Sequence, residues 1–257
     1  MANSPRIDLN ADLGEGFGPW RMGDDAAMLQ IVTSANVACG FHAGDPDIMA
    51  RTFALARETG VAVGAHVGYP DLAGFGRRPM TLTPKEIERA VAYQIGAAQG
   101  LAALQGHRVT YVKAHGALAN LAERDAAVAD ALARATRAVD PALGLLAIAA
   151  SEQARAGERA GLIVAHEIFA DRAYLEDGRL QPRREAGAVI VDAAIAIARV
   201  REMLAEGALI TITGKRLPTP IDSVCVHGDT AHAVDMARAL RAGLEAEGYD
   251  LRAFSGA

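Results

Sequence analysis

Cysteine is scarce in this 257-residue sequence: Cys39 and Cys225 lie far apart and form no CxxC pair. That excludes a disulfide-stapled secreted scaffold and a four-thiolate zinc site, and leaves a single disulfide open. No apolar run approaches the roughly 18 residues of a membrane span, so no membrane partner is expected. The opening stretch MANSPRIDLNADLGEG has an acidic residue by position 8 and no apolar segment. A secretory signal is therefore not expected, and the cytoplasm is the default location. Basic residues are not in excess either. Lys and Arg number 26 against 31 Asp and Glu, a formal charge of -5, which gives no reason to expect nucleic acid. Standard phosphate and nucleophile motifs are missing. There is no GxxxxGK[ST], no GxSxG and no HExxH, and the glycines of GEGFG have the wrong spacing for a dinucleotide loop.

What is present is globular. The chain is 51% apolar and 22% charged, with 26 Gly against 10 Pro. Ala accounts for 56 residues, so much of the apolar fraction is helix former rather than core former. No linker, internal repeat or low-complexity tail divides the chain, and one domain over residues 1–257 is expected.

Short β-branched runs alternate with longer Ala-rich amphipathic stretches. The pattern predicts strands at 6–11, 35–39, 61–66, 109–113, 143–148, 162–166 and 223–227. Helices are predicted at about 24–33, 46–59, 84–105, 120–139, 152–160, 186–206 and 230–247. Seven strand-helix units imply parallel pairing with helices outside, in a barrel or a large open sheet. Asp45-Pro46 and Thr83-Pro84 each put a capping side chain before a first-turn proline, and Glu86 completes a capping box with Thr83. Residues 208–221 leave room for a short strand and a turn.

Polar residues gather where the strands end. Asp12 and Glu15 follow the first, His42 and Asp45 the second, and His66 closes the third. Lys113 and His115 close the fourth; His166, Glu167, Asp171 and Arg172 follow the sixth; His227 and Asp229 close the seventh. In a parallel barrel these ends meet on one face. A carboxylate pair beside histidines is the material of acid-base catalysis or of a metal site. We take Asp12, Glu15, His42, His66 and His115 as candidate catalytic residues. Lys113, Arg77, Arg78, Asp45, Asp171, Arg172, His227 and Asp229 are candidates for binding substrate or phosphate. Asp45 also reads as a helix cap, and Asp171-Arg172 as an ion pair holding a long loop. Residue chemistry alone stops at a hydrolase or lyase acting on a small polar, anionic substrate.

Eight blocks carry a family likeness: NADLGEGFG, SANVACGFHAGDP, GAHVGYPDLAGFGRR, YQIGA, VKAHGALAN, EIFADRAY, GRLQPR and CVHGD. In this order, from about Ile7 to Glu247, they closely resemble the LamB/YcsF family. The resemblance implies an irregular seven-stranded β/α barrel of the glycoside hydrolase/deacetylase type. It also implies ATP-dependent opening of 5-oxo-L-proline to L-glutamate, together with two further subunits, B and C, and leaves room for a homo-oligomer. ATP and Mg²⁺ are the cofactors it implies, with no tightly bound metal expected. The family's usual cysteine in the first block is Ala11 here, its proline in the third is Val67, and its proline and tyrosine in the fourth are Ala114 and Ala119. None of these changes removes an acid, base or cation. Two alternatives accompany this reading. One is a metal-dependent, deacetylase-like amide hydrolase using Asp12, His66 and His115. The other is a non-catalytic subunit that binds a small molecule.

Overall fold

The computed structural model describes residues 4–226 and 233–255. Six strands, β1 (Arg6–Leu13), β2 (Ser34–Ala38), β3 (Ala62–Val67), β4 (Val109–Ala114), β5 (Gly144–Ile148) and β6 (Ile163–Phe169), pair in parallel in chain order. Strand β9 (Ser223–Val226) follows β6 and pairs back onto β1, closing a seven-stranded parallel barrel. The alternation allows a barrel or an open sheet, and the structure takes the barrel that the family resemblance implies. The segment between β6 and β9 adds the antiparallel hairpin β7 (Ala208–Ile210) and β8 (Arg216–Pro218), while β10 (Asp250–Leu251) extends the start of β1.

Helices α2 (Pro46–Thr59), α3 (Pro84–Leu104), α5 (Ala126–Val139), α6 (Glu152–Arg159), α7 (Ala193–Glu206) and α8 (Ala233–Ala246) are the long crossover elements. The predicted caps form: Asp45 accepts the N–H groups of Asp47 and Ile48, and Thr83 and Glu86 make the reciprocal box. Three predicted helices differ. The first shrinks to α1 (Asp25–Met28), and the stretch from Asn120 to Val139 divides because Asp125 caps a new helix after α4 (Gly116–Ala122). The one expected at 186–206 starts only at Ala193, where the Asp192 side chain caps it by accepting the Ile195 N–H. No helix among the described residues is long and apolar enough to cross a membrane.

Strand periodicity separates two interiors. Ile7, Leu9, Ala11 and Leu13 of β1 face the helices and join the main apolar core. Their alternates Asp8, Asn10 and Asp12 are equally buried, and they meet a polar set inside the barrel. Asp8 accepts hydrogen bonds from Thr33, Ser34 and Ser223, and Asn36 donates to both Asn10 and Asp12. Tyr111 reaches across to donate to Asn36 at 2.8 Å. A side chain at Gly64 would overlap the Tyr111 ring, which is why a glycine stands in the middle of β3. Buried polar groups are tolerated here because they satisfy one another. The network rises through the barrel toward the ends of the strands.

Candidate active site

A cavity of about 530 Å³ opens where the strands end. Asp12, Glu15, His66, Lys113 and His115 line it together with Glu167 and Phe169 of β6. Strands β1, β3, β4 and β6 thus each send at least one ionisable group to the same space.

Lys113 organises the inner end. Its ammonium lies 3.0 Å from Asp12 Oδ1, 2.8 Å from Glu167 Oε1 and 3.3 Å from Cys225 Sγ. Burial works against its charge, but the carboxylates around it, Asp12 foremost, outweigh that and hold its pKa well above the ordinary lysine value. Glu167 is pushed up by burial, an effect Lys113 only partly offsets. Asp12 also accepts from the Asn36 amide at 2.9 Å, so its orientation is fixed from two sides.

Beside this group sit three histidines and a carboxylate. His42 and His115 stack with ring centres 3.7 Å apart and planes 6° from parallel, and His66 stands edge-on to both. Glu15 Oε1 is 3.7 Å from His42 Nε2 and 3.9 Å from His115 Nδ1. The stack is closed over by the 75–77 turn. Gly76 has φ +63°, and a Cβ there would come within 2.7 Å of His42 Cβ and 2.9 Å of His115 Cδ2. His115 Nε2 lies 2.8 Å from the Phe75 carbonyl; Nε2 therefore carries the proton, leaving Nδ1 as a lone-pair donor toward Glu15. Burial lowers the pKa of His42 and His115 well below the usual value, so both are neutral near pH 7.

One donor atom from each of Glu15, His42, His66 and His115 lies within 4.8 Å of the others, and all four residues are buried. Neither ring nitrogen of His42 has a hydrogen-bond partner among the described residues. Neutral imidazoles, one of them held by a carbonyl contact, with a carboxylate among them, are what a zinc-like divalent ion requires. This corrects the expectation of no tightly bound metal. The four ligands come from four separate strand ends, so no local motif announces them. Of the alternative metal set, His66 and His115 belong to this group, while Asp12 lies beside it, 3.7 Å from His66 Nδ1 and 3.0 Å from the Lys113 ammonium.

The remaining predicted residues divide. Arg77 lines the cavity with its guanidinium 4.9 Å from the Phe75 ring centre. Arg78 turns away and pairs with Asp71. Asp45 caps α2 and accepts the Gly18 N–H, outside the cavity lining. Arg172 lines the cavity, but its guanidinium donates to the carbonyls of Gln181 and Ala188 and so holds the 170–190 loop. Burial lowers its pKa to about 10, which leaves it charged. Asp171 is buried beside it, and its carbonyl accepts the Ile190 N–H. His166 faces outward toward Glu158, because its neighbour Glu167 takes the inward position of β6. His227 and Asp229 lie outside the described residues.

Two buried carboxylates on the cavity wall were not among the candidates, Glu167 and Glu123. Strand alternation marks the first. The second sits at the C-terminal end of α4, 8% exposed, where its carboxylate accepts the Leu180 N–H at 3.1 Å.

Known proteins resemble this chain to different depths. The chain is 62% identical to a protein of Gluconobacter oxydans named as the A component of 5-oxoprolinase, over 97% of its own length and 98% of the relative's. A crystal structure titled lactam utilization protein from Thermus thermophilus superposes with TM-score 0.90 at 42% identity, covering 97% of this chain and all of that one. A family 4 carbohydrate esterase from Streptomyces lividans, 11% identical, shares the barrel alone, with TM-score 0.50 over 98% of this chain and 93% of the other. The family model described as LamB/YcsF matches residues 7–257, and the chain belongs to the LamB/YcsF family.

Proposed function

We propose that this chain is the A component of an ATP-dependent 5-oxoprolinase, opening 5-oxo-L-proline to L-glutamate as ATP is cleaved to ADP and phosphate. The observation that carries this reading is the near full-length match, at 62% identity, to a relative of that name. In the same reading the chain acts in the cytoplasm as one β/α barrel domain and works with the two further components of that enzyme, B and C.

A five-membered lactam is a poor electrophile, and its nitrogen a poor leaving group. Phosphorylating the amide oxygen makes the ring carbon attackable by water and couples the step to ATP. In this reading Asp12, held by Lys113 and Asn36, takes the proton from that water. Lys113 pairs with Asp12 and Glu167 rather than binding an anion itself, and Arg77 on the cavity wall meets a carboxylate or phosphate in this reading. Glu15, His42, His66 and His115 would hold a divalent ion, which supplies Lewis-acid stabilisation of developing negative charge. Buried, neutral His42 and His115 fit that role better than donating a proton to the ring nitrogen.

The test is glutamate release from 5-oxo-L-proline with ATP and Mg²⁺, using this chain alone, its two partners alone and all three together. Glutamate matched by phosphate in the full mixture only is the expected result. No glutamate from an assembled mixture overturns the reading. The Glu15 and histidine cluster favours one second reading, a metal-dependent amide hydrolase, which ATP-independent cleavage of small amides by the metal-loaded chain would reveal.

A further inference from the structure

Five carboxylates line the cavity: Asp12, Glu15, Glu123, Glu167 and Glu185. Four are accounted for. Asp12 and Glu167 face Lys113, Glu15 faces the histidines, and Glu185 is exposed on the outer loop. Glu123 is different. It is 8% exposed, takes part in no ion pair among the described residues, and its carboxylate is met by a single backbone donor, Leu180 N–H. Ala119, one helical turn earlier on the same face, also lines the cavity and offers only a methyl group, so the carboxylate is reachable from within.

A buried carboxylate with acceptor capacity to spare is costly unless a ligand completes it. The neighbouring cations, Arg172 and Arg179, act on it electrostatically but neither forms an ion pair with it among the described residues. Arg172 donates to loop carbonyls and Arg179 pairs with Asp177. The missing partner is thus a donor or cation on the ligand. Of the groups on a lactam carboxylic acid, the ring N–H is the only donor once the acid is ionised, and ring opening turns that nitrogen into an ammonium.

Resting on the functional reading above, we propose that Glu123 is a substrate-binding residue that accepts the lactam N–H and then holds the ammonium of the product. It is a specificity determinant at the nitrogen end of the ligand, opposite in charge to the arginines that suit the carboxylate. The groups facing it are the Leu180 N–H, Arg179, Arg172 and Asp177. Burial raises its pKa to about 7, so acid neutralises the carboxylate within the working pH range.

Glu123→Gln keeps a carbonyl acceptor and loses the charge, whereas Glu123→Ala loses both. In the reconstituted three-component enzyme, Glu123→Ala raises KM for 5-oxoproline by about tenfold or more, and Glu123→Gln raises it only a few-fold. Product inhibition by L-glutamate weakens by about tenfold in both variants, and the wild type, unlike Glu123→Gln, binds glutamate more weakly as pH falls from about 8 to about 6. Thermal midpoints confirm that each variant is folded; should Glu123→Ala fail to fold, the pH dependence of glutamate inhibition in Glu123→Gln decides. A folded Glu123→Ala enzyme whose KM and glutamate inhibition stay within about twofold of wild type overturns the assignment. So does a Glu123→Gln enzyme that keeps the wild-type pH dependence. An inactive wild-type mixture instead overturns the functional reading on which the proposal stands.

Discussion

Lys113 stands between Asp12 and Glu167, 3.0 Å from one carboxylate and 2.8 Å from the other, with all three side chains buried. One cation thus compensates two acids that β1 and β6 deliver from opposite parts of the chain. Replacing Lys113 with Met removes the compensation and leaves the acids facing each other. We expect a loss of about 3–5 kcal/mol in denaturant unfolding. A companion Lys113→Met/Glu167→Gln variant, which removes one of the stranded charges, regains part of that loss. A single variant as stable as the wild type would mean that the acids are neutral in the fold.

Metal content gives the second prediction. The chain, purified without chelator and then loaded, binds one zinc-like ion per molecule, and its thermal midpoint rises with loading. His66→Ala and Glu15→Ala each abolish the stoichiometric binding, whereas Asp45→Ala does not. Elemental analysis of the four proteins after gel filtration reads the result directly.

The third concerns pH. The Glu123 carboxyl, with its ordinary value at 4.5 and its folded value near 7, binds its proton more tightly in the folded state than in the unfolded one. Its favourable contribution is complete below pH 4.5 and is lost as pH rises through about 7. Glu123→Gln escapes that loss. Relative to the wild type it therefore gains on the order of 3 kcal/mol between about pH 4.5 and about pH 8.5. Parallel pH dependences of unfolding for the two proteins would show that the carboxylate is better solvated than its burial implies.

Asp45 separates a cap from a ligand-binding group. Its carboxylate accepts N–H groups from Gly18, Asp47 and Ile48, and it is absent from the cavity wall. Asp45→Ala costs about 1 kcal/mol of stability. KM and kcat of the reconstituted enzyme remain within about twofold at a temperature where the variant stays folded. A selective rise in KM would return Asp45 to the site.

Much of the fold is legible in the sequence, because seven apolar β-branched runs separated by amphipathic stretches allow few arrangements. Helix starts are legible where a side chain fixes them, as at Asp45 and Thr83. The site is legible as a set of strand ends rather than as an arrangement. His66 and His166 look alike at the ends of their runs, yet strand register turns one inward and the other outward. Arg78 and Arg77 are neighbours, and only the contact with Asp71 decides which one leaves the cavity. Metal affinity is harder still to read, since Glu15, His42, His66 and His115 share no motif. Glu123, set among alanines near a helix end, resembles any solvated helix residue until the 170–190 loop is folded over it.

The barrel closes where β9 meets β1, and the Ser223 hydroxyl donates to Asp8 across 215 residues of chain. Cys225, in contact with Lys113, belongs to the same closing strand. During synthesis, then, β1 must wait at an open seam with its acids facing water until nearly the whole polypeptide has left the ribosome. A nascent chain interrupted before Ser223 holds most of the ionisable groups of the cavity and no closed cavity to place them in. The chemistry of this protein is switched on by the arrival of the strand that closes its barrel.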